Sequence, residues 1–184
     1  MNIIDSGELS LFHIRRMEIP DIQKVLEIDQ SSFPNPWSKN AYEYGINQNL
    51  NSRPWVGIVN ENEKEKILAF AVFWNILDEV HIGTFAVHTG YRNLRIGSYF
   101  LGKLLSISKN EGMVRALLEV RESNSFAIRL YESFGFQIDG IRKKYYRDNR
   151  ENAILMSASL LENKRLDEFT GQVIIGGGSH HGQK

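Results

Sequence analysis

Apolar and polar residues alternate with two different periods along this chain, and each change of period marks a new element. Leu11 to Arg16 reads as a short strand. From Pro20 the spacing turns helical, with Ile22, Val25, Leu26 and Ile28 on one stripe. Pro20 suits the first turn, where its missing N–H is not needed. The loop SSFPNPWS follows, and Ser38 suits the N-cap of a short helix, Lys39 to Ile46. Trp55 to Val59 and Ile67 to Leu77 read as a hairpin around the polar turn Asn60 to Lys66. Val80 to Val87 is a further strand, and Ile96 to Glu111 is the longest helix, with Gly112 just past its end. A strand at Arg115 to Arg121, a helix at Asn124 to Phe134, and strands at Phe136 to Tyr145 and Ala153 to Leu160 follow.

The order β-α-α-β-β-β-α-β-α-β-β leads a run of antiparallel strands into βαβ crossovers. The expected class is therefore α/β of the mixed kind, a mixed sheet with helices on both faces. No internal repeat is present. From about Glu162 the pattern dissolves: Val173-Ile174-Ile175 is too short for a core element, and Gly176 to His181 has a flexible composition. The expected organisation is an N-terminal extension over 1–10, one domain over 11–161 and a flexible tail over 162–184. His180 and His181 make a poor metal site there, without acidic or thiol neighbours.

Composition narrows the function classes. A length of 184 residues favours one domain with a sizeable core. With 22 Lys and Arg against 22 Asp and Glu, no global charge draws the chain to nucleic acid or an anionic membrane. Zero cysteines exclude a disulfide framework, a thiolate metal site and a cysteine nucleophile. The start, MNIIDSGELSLF, lacks a signal peptide's basic leader, and no apolar run nears the roughly 18 residues of a membrane span. A soluble, cytoplasmic chain is expected.

Two segments carry candidate chemistry. The strand Val80 to Val87 runs into HTGYRNLRIGSYFLG, a tight turn and a long helix. The first turn of a helix leaves backbone N–H groups without partners, and its dipole adds partial positive charge. Such an end binds pyrophosphate, with Arg92 and Arg95 adding charge and Gly97 allowing close approach. The plainer reading is a helix start with solvated arginines and a glycine kept for packing. The second segment is LEVRESNSFAIRLYESFGF. Glu119 points opposite to Leu118 and Val120, so it faces either solvent or a cleft where desolvation makes it a useful base. Tyr131 shares a helical face with Ala127, Leu130 and Phe134 and is either a core-edge tyrosine or an acid facing that cleft.

These residues resemble a known family. Val87 to Gly97 resembles the acyl-CoA pyrophosphate motif Q/R-x-x-G-x-G/A of the GNAT superfamily of N-acetyltransferases. LEVRESN, A-x-x-LYES-x-GF, and R-x-x-YY followed by AI-x-M resemble the bacterial ribosomal-protein-alanine N-acetyltransferases, the RimI family. Phe33-Pro34 and Pro36-Trp37-Ser38 are similar to that family's F-P-W-S segment with two residues inserted.

The resemblance, from about Leu11 to Leu160, implies the GNAT fold: a mostly antiparallel mixed sheet whose splayed parallel pair holds acetyl-CoA. It implies that the backbone of Phe85, Ala86 and Val87 pairs with the pantetheine arm. Arg92, Asn93, Leu94, Arg95, Ile96, Gly97 and Ser98 would take the pyrophosphate, and Asn124 would contact the cofactor. Glu119 would be the general base and Tyr131 the acid for the departing thiolate. Trp37, Tyr145 and Tyr146 would line the acceptor, a protein N-terminus such as the alanine of small-subunit ribosomal protein S-eighteen. No metal, nucleic acid or membrane is implied, and the chain would be a monomer or weak homodimer. One departure stands out: the motif's first glycine is Arg95 here, which costs about 1 kcal/mol or more if that position needs positive φ.

Other acceptors remain open at this level, including a small-molecule amine or a lysine side chain. So does an acyl-CoA-binding module without turnover. Arg142-Lys143-Lys144-Tyr145-Tyr146-Arg147 also reads as a basic, aromatic nucleic-acid patch, against which net neutrality argues.

Overall fold

The computed structural model describes residues 9–61, 64–170 and 173–176. Strand β1 (Leu9–Arg16) is followed by helices α1 (Ile22–Ser32) and α2 (Lys39–Asn47), then strands β2 (Ser52–Glu61), β3 (Lys64–Ile76) and β4 (Glu79–Val87). Helix α3 (Ile96–Asn110), strand β5 (Arg115–Arg121), helix α4 (Ser125–Glu132) and strands β6 (Gln137–Arg142), β7 (Ala153–Ser159) and β8 (Val173–Gly176) complete the chain. The strands form one sheet in the order β6-β7-β5-β4-β3-β2-β1-β8. Every neighbouring pair is antiparallel except β4 with β5. No helix among the described residues is long and apolar enough to cross a membrane.

Both faces of the sheet are covered, which is why β3 is apolar without a break from Ile67 to Trp74. Its Ala69, Ala71 and Phe73 pack under α3 with Phe100, Leu101 and Leu104. Phe70 and Val72 face the other way, against Ile22, Val25 and Ile28 of α1 and Tyr42 of α2. Successive strand residues point to opposite faces, so one apolar strand serves two cores.

The parallel pair is short. Its register runs from Glu79 opposite Arg115 to Ile82 opposite Leu118, and there it ends. On its other side β4 continues to pair with β3, but Gly83 is skipped: Val72 faces Thr84 while Phe73 faces Ile82. A bulge adds a residue to one strand, bends it and strengthens its twist. Val80 and Ile82 before it, and Phe85 and Val87 after it, all face the α3 core, so Gly83 resets the alternation. No larger residue fits, since a Cβ on Gly83 would lie 2.7 Å from the Trp74 ring. The two strands separate at that point.

The C-terminal expectation needs correction over its described part. Residues 164–170 form a short helical turn that buries Leu166 completely and lays Phe169 on α3. Phe169 lies 6.0 Å from the Tyr99 ring and 5.5 Å from Phe134, and it occupies the space a Cβ on Gly102 would need. Strand β8 then pairs antiparallel with β1, Leu9 opposite Gly176 through Phe12 opposite Val173. An edge strand offers a row of unpaired backbone groups, so even four residues can extend the sheet. Residues 1–8, 171–172 and 177–184, including His180 and His181, lie outside the described residues. So do positions 62–63; within the expected Asn60–Lys66 turn, Asn60 pairs with Glu65 and Glu61 with Lys64, so the strands reach further than the sequence pattern placed them.

The loop between α1 and α2 is held by one buried acid. Asp29, only 1% exposed, accepts from the Trp37 backbone N–H at 2.8 Å and from the Tyr42 hydroxyl at 2.8 Å. Burial raises its pKa, and those two donors oppose the shift. A carboxyl with a raised folded pKa binds its proton more tightly when folded, so its stabilising contribution is lost as pH rises through that value. Asp29→Asn does not titrate. Urea melts should therefore show its stability improving relative to wild type as pH climbs from about 4, the ordinary aspartate value, towards 7.

Candidate active site

The separation of β4 from β5 leaves a gap with a helix start near one end and a carboxylate at the other. Beyond Ile82, β4 has a strand partner on its β3 side only, so residues 83–87 present an open edge to the gap. The backbone of Phe85, Ala86 and Val87 lies on that edge, although the Val87 carbonyl already accepts from Arg92 Nε at 3.1 Å. The other arm of Arg92 reaches Ser32 Oγ at 3.0 Å, so this arginine braces the end of β4 against α1.

From the end of β4 the chain crosses a tight turn into α3. Tyr99 makes the first bond of the helix, to the Arg95 carbonyl at 3.0 Å, and no side chain caps the start. The N–H groups of Ile96, Gly97 and Ser98 are consequently available to a ligand. A Cβ on Gly97 would enter the cleft between β4 and α4, 3.4 Å from Val87 and 3.9 Å from Phe85 and Leu130. Those are ordinary contacts, so packing within the protein does not by itself require glycine. The uncapped helix end and this small, Cβ-free surface fit a pyrophosphate.

Asn93 and Arg95 both have left-handed backbone conformations, with φ of 65° and 61°. Arginine at the motif's first glycine position therefore carries the strain that the sequence left open. Leu94 and Arg95 are exposed.

On the opposite face from α3, Glu119 of β5 stands beside the gap, one residue past the last parallel pair. Its Oε1 accepts from Arg142 Nη1, and Tyr145 also hydrogen-bonds to the carboxylate. That bond, ahead of partial burial, holds the Tyr145 phenol above its ordinary pKa. Tyr145 meets Tyr146 edge to face at 5.3 Å, and Tyr146 lies under the Arg121 guanidinium at 3.9 Å. Arg121 in turn binds Asp148, Asn149 and Glu151. The Ser123 backbone N–H donates to Glu151 at 2.7 Å, and Ser123 is the main reason that its pKa falls to about 2. The tyrosine pair is thus tied to the end of β5.

Tyr145 and Tyr146 do not belong to the strand expected to reach Tyr145. Strand β6 stops at Arg142, and Lys144 takes a φ of 54°, turning the chain so that both rings leave the sheet. Tyr131 is buried, 7% exposed, on the α3 side of the sheet. Burial first, then the neighbouring Tyr146, raises its pKa. Its hydroxyl has no hydrogen-bond partner among the described residues, which leaves its proton unclaimed by packing. Asn124 caps α4 by accepting from Ala127 N–H at 3.2 Å, so its carbonyl oxygen is committed and its amide nitrogen remains.

Trp37 sits apart from the tyrosine pair. It stacks on Trp74 with centroids 5.7 Å apart and 12° between the planes, and meets Tyr42 at 5.6 Å. Since Trp74 covers Gly83, the stack lies on the Glu119 face, over β4 where that strand parts from β5. It also walls an apolar cavity of about 430 Å³ between α2 and strands β2 and β3. Trp74, Gly83 and Arg142 escaped the sequence reading as site residues. A glycine within a strand signals a bulge, so Gly83 was detectable; Trp74 and Arg142 depend on long-range contacts with no local mark.

Residues 22–136 match the acetyltransferase (GNAT) family model, and this chain belongs to that family. It is 35% identical over 150 residues to the [ribosomal protein bS18]-alanine N-acetyltransferase of Haemophilus influenzae, covering 80% of this chain and 98% of that one. The Escherichia coli K12 enzyme of the same name is 34% identical over 146 residues, covering 78% and 95%. Among solved structures, the ribosomal-protein-S18-alanine N-acetyltransferase of Escherichia coli superposes with a TM-score of 0.72 at 32% identity, over 81% of this chain and 94% of that one. Ard1 from Thermoplasma volcanium gives 0.71 at 27% identity, over 82% and 99%. The protein is an N-acetyltransferase.

The strained turn yields a two-part expectation. Arg95→Gly relieves the left-handed conformation and should raise stability by up to about 1 kcal/mol, part of the gain being lost to glycine's greater freedom when unfolded. The same change removes a charge beside the helix start, so the KM for acetyl-CoA should rise and its salt dependence flatten. Urea denaturation and steady-state kinetics on one preparation measure both.

Proposed function

We propose that this enzyme acetylates the N-terminal amine of a ribosomal protein, the alanine of bS18, with acetyl-CoA as donor. The observation that carries this reading is the open edge of β4 at residues 83–87, which joins the uncapped start of α3 to the Glu119 carboxylate. The names of the relatives supply the acceptor; the geometry supplies the chemistry.

Acetyl-CoA brings an activated acetyl group, so positioning and amine deprotonation are what the protein must contribute. The N–H groups at the start of α3, with Arg95 beside them, hold the pyrophosphate. The β4 edge from Phe85 to Val87 aligns the pantetheine arm along the gap, and the Asn124 amide nitrogen adds a contact. Glu119 takes the proton of the acceptor amine, through water; a protein α-amine has a pKa of about 8, so a modest base suffices. Tyr131, like any phenol, is protonated at neutral pH and can give its proton to the departing thiolate. Trp37, Tyr145 and Tyr146 flank the acceptor on the Glu119 face.

The direct test is mass spectrometry of the bS18 N-terminus with and without the enzyme. An N-terminal alanine of bS18 left unmodified while a polyamine or a lysine side chain is acetylated would replace the acceptor and leave the reaction class standing. For the catalytic groups, Glu119→Gln should lower kcat by about 10²–10⁴-fold, the usual worth of a positioned base. The loss should shrink at high pH, where the amine is already neutral. Tyr131→Phe keeps the packing against Phe136 and removes only the hydroxyl, so kcat should fall while the melting temperature holds. A normal kcat with a lowered melting temperature would make Tyr131 a packing residue. Gly97→Trp should abolish acetyl-CoA binding in calorimetry without unfolding the chain.

A further inference from the structure

Two arginines flank Glu119, and they are held very differently. Arg121, on β5 itself, has an 18% exposed side chain, is bound by Asp148, Asn149 and Glu151, and stacks on Tyr146. That is a structural arginine. Arg142 ends β6, at the edge of the sheet, and its side chain is 54% exposed. Among the described residues its single ion-pair partner is Glu119, and Tyr145 supports it through a side-chain hydrogen bond and through its ring face at 5.5 Å. One carboxylate balances its charge.

That carboxylate is the group assigned to the acceptor amine, and at neutral pH a protein α-amine is mostly an ammonium. Guanidinium and ammonium carry the same charge and seek the same oxygens, while the facing phenols, Tyr145 and Tyr146, contribute no second negative charge. We propose that Arg142 occupies the acceptor-amine subsite of the free enzyme and that the incoming α-ammonium displaces it from Glu119. The inference rests on Glu119 being the base. Arg142 then acts as a specificity residue: an acceptor enters only by offering Glu119 a cation that replaces the resident one, and the released guanidinium moves into solvent beside Tyr145. No covalent change accompanies the exchange.

Edge position and exposure keep the exchange easy. An exposed ion pair is worth 0 to about 1 kcal/mol, so removing the competitor should improve acceptor binding by at most about fivefold. Arg142→Gln should therefore lower the acceptor-peptide KM by that factor while acetyl-CoA KM is unchanged. Arg142→Lys restores a cation and should return the KM towards wild type. The closing experiment is a double-mutant cycle with a bS18 N-terminal peptide: wild type, Arg142→Gln, Glu119→Gln and the double variant. If Arg142 competes through Glu119, its removal lowers KM beside the carboxylate and changes nothing once the carboxylate is gone. An unchanged or raised KM with reduced kcat would show that Arg142 instead holds Glu119 in place, and an equal KM drop in both backgrounds would place its action elsewhere; either result overturns the proposal. The turnover of Glu119→Gln alone separately reports whether Glu119 is the base.

Discussion

The site depends on the point where β4 and β5 stop pairing. An antiparallel sheet can satisfy its backbone groups strand by strand, but a parallel pair needs a crossover, here α3, to bring the second strand alongside. The pairing lasts from Glu79 and Arg115 to Ile82 and Leu118, and then Gly83 bulges out of the β3 ladder under the Trp74 ring. Past that bulge β4 is bonded on one side only. A row of open backbone donors and acceptors inside a sheet is costly unless solvent or a ligand meets it. An extended, amide-bearing chain laid along the edge meets that need, and the pantetheine arm is one.

The sheet lies between the two groups of candidate residues. Tyr131 and the start of α3 belong to one face, with Phe100 and Leu104 behind them; Glu119, Trp37 and Trp74 belong to the other. The parity of β5 enforces this, since Leu118 and Val120 point into the α3 core and Glu119 between them points away. Side chains on opposite faces can approach one centre only where the sheet opens. The proposed roles of Glu119 and Tyr131 therefore depend on the opening past Ile82 and Leu118 as much as on the two side chains.

Much of this was legible in the sequence. The alternation of apolar positions set the order of elements through β7, and Arg115 to Arg121 and the start of α3 at Ile96 fall where the pattern places them. The outward direction of Glu119 was marked by parity, and the uncapped start of α3 by its strand–turn–helix setting. The parts that escaped depend on distant partners. Leu166 and Phe169 look like isolated apolar residues in a polar stretch until α3 supplies the surface they cover. The strand expected to reach Tyr145 stops three residues early because Lys144 turns the chain with a left-handed φ, which no lysine advertises. Arg142 read as part of a basic patch, yet its partner is the carboxylate 23 positions earlier.

Arg95 joins strain and charge in one residue. A left-handed arginine at φ 61° costs about 1–2 kcal/mol against a relaxed backbone, and glycine would avoid most of it. The neighbouring Asn93 is also left-handed, but asparagine tolerates that region better, so the arginine bears most of the penalty. Packing within the protein does not explain the choice, because the side chain is exposed and caps nothing at the start of α3. What the arginine adds is a permanent positive charge at a helix end that already favours anions. Strain stored at a single exposed position beside an unfilled set of N–H donors is tolerable when the rest of the core is intact. If the proposed phosphate role holds, the turn exchanges a little unliganded stability for a stronger hold on the cofactor, and the exchange is made at an exposed residue, where the strain disturbs no packing.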